Sequence, residues 1–387
     1  MQYRRFGRTG WKCSALGFGL MRLPTSDEKP MSRNVKVEEA VRMIRYGIDH
    51  GINYLDTAYA YHGGRSEHIL AKALANGYGE LVKVATKSPV WLIEKPRDFD
   101  RYLDVQLRRL KKDRIDLYLF HGLNAISWNK VVLRHRLLRR AEAARREGKI
   151  DLLGFSFHDE FDAFRAIVDG YEDWDFCQIQ YNYMDTENQA GTKGLRYAAA
   201  KGLAVVVMEP LLGGRLSRPP PTVRKLLANH GRIVKPSDLA LRWVWDHAEV
   251  SVVLSGMSSM AQLRANLRSA DLSGASALTG YERDLIKRIR REYENLRPVP
   301  CTRCGYCMPC PRGVDIPKNL ELYNDAIAYS DIKGARAAYA RWLRGTERAG
   351  ACRACRKCEK KCPQGIAISH LMPVVHDALS EPAVTPK

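Results

Sequence analysis

Eight of the ten cysteines lie after residue 300, in two runs. The first is Cys301, Cys304, Cys307 and Cys310, followed by Pro311; the second is Cys352, Cys355, Cys358 and Cys362, followed by Pro363. The second run has the C-x2-C-x2-C-x3-C-P spacing by which thiolates hold iron–sulfur clusters, and the first is one residue shorter before its last cysteine. Three thiols so closely spaced converge on one cubane, and the fourth ligand comes from elsewhere, commonly from the other run. The expected sets are therefore Cys301, Cys304, Cys307 and Cys362 for one [4Fe–4S] cluster, and Cys352, Cys355, Cys358 and Cys310 for the other. A single cluster is the smaller alternative. Structural zinc sites of four cysteines are the other reading, but zinc modules favour two C-x2-C pairs per ion over four cysteines in one tight run. Cys13 and Cys177 stand apart and read as buried small hydrophobes.

A second set of reactive types is scattered through the first third: Asp56, Tyr61, Lys87 and His121. A phenol of pKa about 10 is a poor acid at neutral pH. A neighbouring ammonium stabilises the phenolate and lowers that pKa, and a carboxylate keeps the ammonium charged and in place. An imidazole can orient a carbonyl oxygen. Together the four can protonate an alkoxide as hydride arrives at carbon. Each residue alone has an ordinary explanation, Asp56 as a helix cap and His121 as a satisfied core residue.

What joins them is position. Short β-branched runs at 15–19, 53–57, 82–86, 115–120, 152–156, 178–181, 204–208 and 251–255 read as strands. Helical patterns such as 37–49, 97–110, 162–168 and 237–247 lie between them. Eight such units in roughly 290 residues predict an α/β fold of the (β/α)8 TIM-barrel type. Asp56, Lys87 and His121 then end strands two, three and four, with Tyr61 just beyond strand two, where barrels keep their chemistry. The first βα turn, Gly17-Phe18-Gly19 followed by Leu20, Met21 and Arg22, lacks G-x-G-x-x-G, which argues against an open dinucleotide-binding sheet. Residues 3–6 and 12–14 around Gly7-Arg8-Thr9-Gly10 predict a hairpin capping the barrel bottom.

The segments LDTAYAY, VATKSP and LYLFHG, which carry the four residues, resemble the aldo/keto reductase family over roughly residues 1 to 295. The resemblance implies a catalytic tetrad of Asp56, Tyr61, Lys87 and His121 with Tyr61 as general acid, and an extended NAD(P)H. By the same likeness Ser156 and Gln178 face the nicotinamide carboxamide. Glu209, Leu211, Gly213 and Gly214 cover the pyrophosphate, and Gly256, Met257, Ser258, Gln262 and Asn266 hold the adenosine end. Four positions depart from the family pattern. Phe157 replaces an Asn, and Met208 replaces the aromatic that stacks on nicotinamide. Gly256 and Gln262 replace the Lys and Arg that grip a 2′-phosphate, so the NADPH preference is expected to weaken. The runs stand 42 positions apart, Cys310 to Cys352, and the helical segment at 319–348 between them resembles α-helical ferredoxin domains.

The jump in cysteine content predicts a barrel over 1–296 and a small, mainly helical 4Fe–4S domain over 297–387. Lys plus Arg number 63 against 43 Asp plus Glu, a net +20 spread along the chain. The densest basic run, 134–149, has apolar residues at helical spacing and reads as a solvated outer helix; no nucleic-acid motif accompanies it. No apolar stretch reaches transmembrane length, and no export signal is read at the N-terminus. Thiols spaced as ligands imply a reducing cytoplasm. The expected partners are a small carbonyl or alcohol and an acidic electron carrier such as ferredoxin or flavodoxin. The alternatives are an electron-transfer subunit whose barrel is not an independent reductase, and a non-enzymatic regulatory barrel.

Overall fold

The computed structural model describes residues 1–228 and 235–380. The chain forms two compact units: Met1–Gly214 with Ser237–Thr279, and Arg215–Pro236 with Gly280–Lys387.

The first unit is a closed barrel. A hairpin of β1 (Tyr3–Arg5) and β2 (Lys12–Ser14) precedes β3 (Leu16–Gly19), β4 (Tyr54–Asp56), β5 (Lys83–Ser88), β6 (Ile115–Leu123), β7 (Ile150–Phe157), β8 (Phe176–Gln180), β9 (Ala204–Met208) and β10 (Val250–Ser255). β3 to β10 pair in sequence order, all parallel, and β10 closes on β3. These are the eight predicted strands, displaced by no more than a few residues at their ends. Strand side chains alternate faces. Tyr54, Ala85, Leu117, Leu119, Phe176, Ala204, Val206, Val252 and Leu254 fill the interior, while Leu55, Val84, Tyr118, Phe155, Cys177, Val205 and Val253 pack outward beneath the helices. Cys13 and Cys177 are buried, as expected.

The hairpin plugs the N-terminal end. Phe6 enters the interior, 5.5 Å from the Phe176 ring and 6.0 Å from Tyr54. Its turn passes so close to β9 that a Cβ on Gly7 would stand 2.4 Å from the Ala204 nitrogen. The basic run is an outer helix, Leu137–Arg146, with Leu137, Ala141 and Ala144 buried. Arg140 and Arg145 pair with Asp100 and Asp175. Leu133 does not join its apolar face: Arg136 adopts left-handed φ and separates it from the helix.

The second unit is helical. Pro221–Ala228 packs on Gly280–Asn295, and Ile316–Ala328, Ile332–Trp342 and Ile368–Leu379 surround Val299, Val314, Leu320, Ala335, Tyr339 and Met372. Asp315 and Asp331 cap two of these helices, accepting from the Lys318 and Gly334 N–H groups at 3.1 and 3.0 Å. This unit begins earlier than the cysteine content suggests, taking in Gly280–Asn295 and the segment around Arg215. Arg215 is held within this unit by Asp325 at 2.8 Å and Asp331 at 3.1 Å.

Candidate functional site

The barrel mouth is a continuation of the barrel core. The inward period-two positions that carry Tyr54, Ala85 and Leu119 reach Asp56, Lys87 and His121 one step later, at the C-terminal strand ends. Phe176 is likewise followed inward by Gln178, Val206 by Met208 and Leu254 by Gly256. The polar layer is therefore positioned by the same pleat that packs the core.

Lys87 is fully buried. Its Nζ donates to Asp56 Oδ1 and to the Thr57 carbonyl, both at 2.7 Å, and lies 3.5 Å from Tyr61 Oη. The His121 ring stands edge-on to Tyr61 at 6.0 Å. The four predicted residues thus converge. Burial raises the Tyr61 pKa, and Lys87 opposes this without overcoming it, so the expected lowering is not the net result. For Lys87 the order reverses: burial disfavours the charge, but Asp56 and Tyr61 together raise its pKa. Burial, then Lys87 and His158, hold His121 well below the ordinary histidine value, so the imidazole is neutral.

A buried network fixes Lys87 from behind. Glu67 is fully buried and accepts from Thr86 Oγ1 and Gln106 Nε2 at 2.7 Å, and from Arg109 at 3.1 Å. Gln106 also donates to the Lys87 carbonyl at 3.1 Å, and Arg109 donates to the Tyr59 carbonyl at 3.1 Å. The strand of Lys87 and the loop of Tyr61 therefore share one carboxylate. Sequence reasoning missed Glu67, although it follows the tyrosine loop directly in HGGRSE. Trp91 is 55% exposed and stands 5.0 Å from the His121 ring, so it borders the mouth. Trp128 is core, packed against Trp174.

The residues expected to face a dinucleotide also lie around this mouth. Among the described residues Gln178 Oε1 is buried without a partner, and its Nε2 faces Met208 Sδ at 3.6 Å. Ser156 Oγ accepts from the Gly122 N–H at 2.8 Å. After β9, Glu209, Leu212, Gly213 and Gly214 all have positive φ (54°, 47°, 66° and 96°). Left-handed backbone in non-glycine residues is strained, and such turns form concave anion-accepting nests. After β10, Gln262 Oε1 accepts from the Ser258 N–H at 2.8 Å, Ser259 caps the helix Met260–Asp271, and Asn266 donates to Ser255 Oγ at 2.9 Å. Met257 is buried beside them.

One cation here was not foreseen. A Cβ on Gly256 would meet Arg22 Cβ, Cγ and Cδ at 3.1–3.2 Å, and one on Gly213 would lie 3.5 Å from Arg22 Nη2. Arg22 thus reaches from the loop after β3 across both glycine turns. No spacing rule points to it, because it precedes Gly213 by 191 residues and Gly256 by 234.

In the second unit the cysteines ring two cavities. One is lined by Cys301, Cys304, Cys307 and Cys362, the other by Cys310, Cys352, Cys355 and Cys358. These are the two sets expected from the spacing. Ile316 and Ile368 wall both cavities. The runs form an internal repeat that the spacing alone did not reveal. Arg303 and Gly305 are left-handed in the first run, and Ala354 and Arg356 are left-handed at the matching places of the second. Cys310-Pro311-Arg312-Gly313-Val314-Asp315-Ile316 matches Cys362-Pro363-Gln364-Gly365-Ile366-Ala367-Ile368, with positive φ at both glycines.

Two buried asparagines of Ile316–Ala328 anchor the entrances. Asn324 exchanges hydrogen bonds with the Val299 backbone at 2.8 and 3.0 Å, two residues before Cys301. Asn319 accepts from the Ala349 N–H at 2.7 Å, three residues before Cys352. Among the described residues no group of three or more His, Cys, Asp or Glu side chains is placed to hold a single metal ion. Thiol-lined cavities suit the larger cubane, whose cationic iron stabilises thiolates. Without a cation, burial and then the neighbouring thiols raise the Cys301 pKa and push Cys307 up to about 11.

Barrel, strand-end residues and thiol cavities together define a redox enzyme. Residues 15–277 match the aldo/keto reductase family and residues 300–367 the 4Fe-4S dicluster domain. The chain belongs to the aldo/keto reductase family and is an oxidoreductase. It is 27% identical to the uncharacterized oxidoreductase YrpG of Bacillus subtilis, over 78% of this chain and 97% of that protein. It is also 27% identical to L-galactose dehydrogenase of Arabidopsis thaliana, over 69% and 87%. The holo aldo-keto reductase AKR11C1 of Bacillus halodurans superposes with a TM-score of 0.61 at 26% identity, over 75% of this chain and 96% of that one. An aldo-keto reductase from Klebsiella pneumoniae solved with NADPH shares the fold at 23% identity, with a TM-score of 0.60 over 75% and 95%. Among the described residues no helix is long and apolar enough to cross a membrane.

Proposed function

We propose that the barrel mouth carries NAD(P)H-linked interconversion of a carbonyl and an alcohol, and that the thiol cavities hold two [4Fe–4S] clusters. The observation that carries the first part is the buried Asp56–Lys87–Tyr61 chain facing a neutral His121. The nicotinamide, when bound, supplies or takes the hydride. Tyr61 Oη gives its proton to the oxygen that becomes alkoxide, Lys87 balances the phenolate left behind, and Asp56 keeps Lys87 charged. His121 orients that oxygen by hydrogen bonding. The open Gln178 amide suits a carboxamide, with Ser156 beside it. Glu209, Leu211, Gly213 and Gly214 cover the pyrophosphate with Arg22 as their cation, and Gly256, Met257, Ser258, Gln262 and Asn266 face the adenosine end. With uncharged Gly256 and Gln262 there, discrimination between NADPH and NADH is expected to be weak.

The clusters each pass one electron. Their common Ile316–Ile368 wall supports exchange between them, so the pair can match a two-electron reaction. Their outside partner is an acidic carrier of the ferredoxin or flavodoxin kind, and the reduced thiols suit the cytoplasm. The test is a visible spectrum of anaerobically purified protein titrated with NADH and then NADPH. Bleaching of a broad band near ~400 nm means that nicotinamide electrons reach the clusters. An unbleached band during carbonyl turnover means that the units work separately. Absence of the band removes the cluster assignment, and full activity in Tyr61→Phe removes the reductase assignment.

A further inference from the structure

The two cavities are repeats in backbone but not in charge. The cavity of Cys301, Cys304, Cys307 and Cys362 has one arginine in its lining, Arg303, which pairs with Glu321 at 3.7 Å. The cavity of Cys310, Cys352, Cys355 and Cys358 has three, Arg312, Arg353 and Arg356. At matching repeat positions Gly305 becomes Arg356, Tyr306 becomes Lys357, and Gln364 stands opposite Arg312. Lys360 and Lys361 follow in the same loop, between Cys358 of this cavity and Cys362 of the other. Arg353, Arg356, Lys357, Lys360 and Lys361 are all exposed, and among the described residues none of them forms an ion pair. The one acid in the loop, Glu359, accepts from the Ser369 N–H at 2.7 Å and from its hydroxyl, and feels Arg356 without pairing with it. Cys355 of this cavity and Cys304 at the matching place of the other are both exposed, so charge and not access distinguishes the two.

Clustered like charges repel one another, and a solvated face has no need to concentrate five cations in nine residues around a thiol. A four-thiolate [4Fe–4S] cluster of about −2 offsets only part of that charge. We infer that the rim of the Cys310/Cys352/Cys355/Cys358 cavity is the docking face for a small acidic one-electron carrier protein, and that electrons exchange with that carrier through this cavity and not the other. The inference rests on the cluster assignment proposed above. In the donor direction, the anionic flavin hydroquinone of a flavodoxin gives one electron and becomes the neutral semiquinone. The cluster is reduced by that electron, and no proton moves.

The test uses the full-length holoprotein and an acidic flavodoxin as probe. Association of oxidised flavodoxin is followed by biolayer interferometry, and semiquinone formation from the hydroquinone by anaerobic stopped flow at about 580 nm. Lys357→Glu/Lys360→Glu is expected to slow association and electron transfer about tenfold or more at low salt, with the difference closing at high salt, as for steered encounters. An equal charge change at exposed barrel lysines, Lys95→Glu/Lys193→Glu, controls for net charge and should cause a much smaller loss. Photoreduction by a neutral deazaflavin tests the cluster itself. If the ~400 nm band is missing or deazaflavin does not bleach it, the cluster assignment fails. If deazaflavin bleaches it but the two double variants behave alike with flavodoxin, the docking face is wrong. Tighter binding of a single-stranded oligonucleotide than of flavodoxin, lost in Lys357→Glu/Lys360→Glu, would overturn the inference in favour of nucleic acid.

Discussion

The barrel mouth and the cysteine unit solve opposite problems. At the mouth the reactive groups sit at or just beyond strand ends, and the buried charges are matched by protein: Lys87 by Asp56, Glu67 by Arg109. The site is complete before any ligand arrives, which is what electrostatic preorganisation requires. The cysteine loops instead place four thiols around each void, where burial raises the pKa of Cys301, Cys307 and Cys358, and hold Arg303, Ala354 and Arg356 in left-handed backbone. Each such residue costs about 1 kcal/mol. The thiols are placed for a metal centre, which the side chains of the protein do not replace. Preorganisation comes from regular structure, whereas the loops depend on the ligand.

The largest effect should come from taking the clusters away. Metal-centred small folds draw about 10 kcal/mol or more from their metal. Chelation under mild oxidation is expected to raise amide exchange throughout 299–368 by more than a hundredfold while the barrel strands keep their protection. Equal loss of protection in both units would break the contrast. Next in size is Lys87→Met, which strands a buried Asp56 carboxylate. Breaking such a pair costs about 3–5 kcal/mol. Thermal unfolding of the barrel should show it, and adding Asp56→Asn should recover most of the loss. Tyr61→Phe removes only a hydroxyl from a prebuilt site. It should lower kcat about 10²–10⁴-fold with little change in Tm.

The same contrast explains what could be read in advance. Short β-branched runs are local signals, so the barrel was legible, and its strand ends with the family resemblance pointed to the four residues that converge at the mouth. The cysteine sets were legible because thiol spacing limits which sulfurs can converge. The direction of the Tyr61 shift was not, because it depends on how completely packing removes water, and burial outweighs Lys87. Glu67 was hidden for a similar reason: its partners Thr86, Gln106 and Arg109 lie on other elements. Gly280–Asn295 shows no chemistry of its own, so only its packing reveals which unit it joins.

Arg22 sharpens the comparison on the side proposed for the cofactor. If its guanidinium is the cation of the two glycine turns, Arg22→Ala should raise the KM for NADH and NADPH about tenfold, the worth of one charge-assisted hydrogen bond, and leave kcat near its original value. A fall in kcat with unchanged KM would place Arg22 in the chemistry instead.

The smallest effect is a pH dependence that should hardly exist in activity. Burial, with Lys87 and His158 adding to it, lowers the His121 pKa, and burial raises that of Tyr61 above its ordinary value of about 10. Neither group should titrate between about pH 6.5 and 9, so kcat for carbonyl reduction should be flat across that range. Stability should not be flat in acid. Below about pH 6.5 the unfolded chain takes up a proton that folded His121 refuses, so the unfolded state binds more protons and stability falls as pH falls. His158, also lowered by burial, acts in the same direction. His121→Asn should therefore reduce, but not abolish, the drop in barrel Tm between pH 7 and pH 5. A bell-shaped kcat profile centred near neutrality would show that a prebuilt charge balance does not hold the mouth in one protonation state.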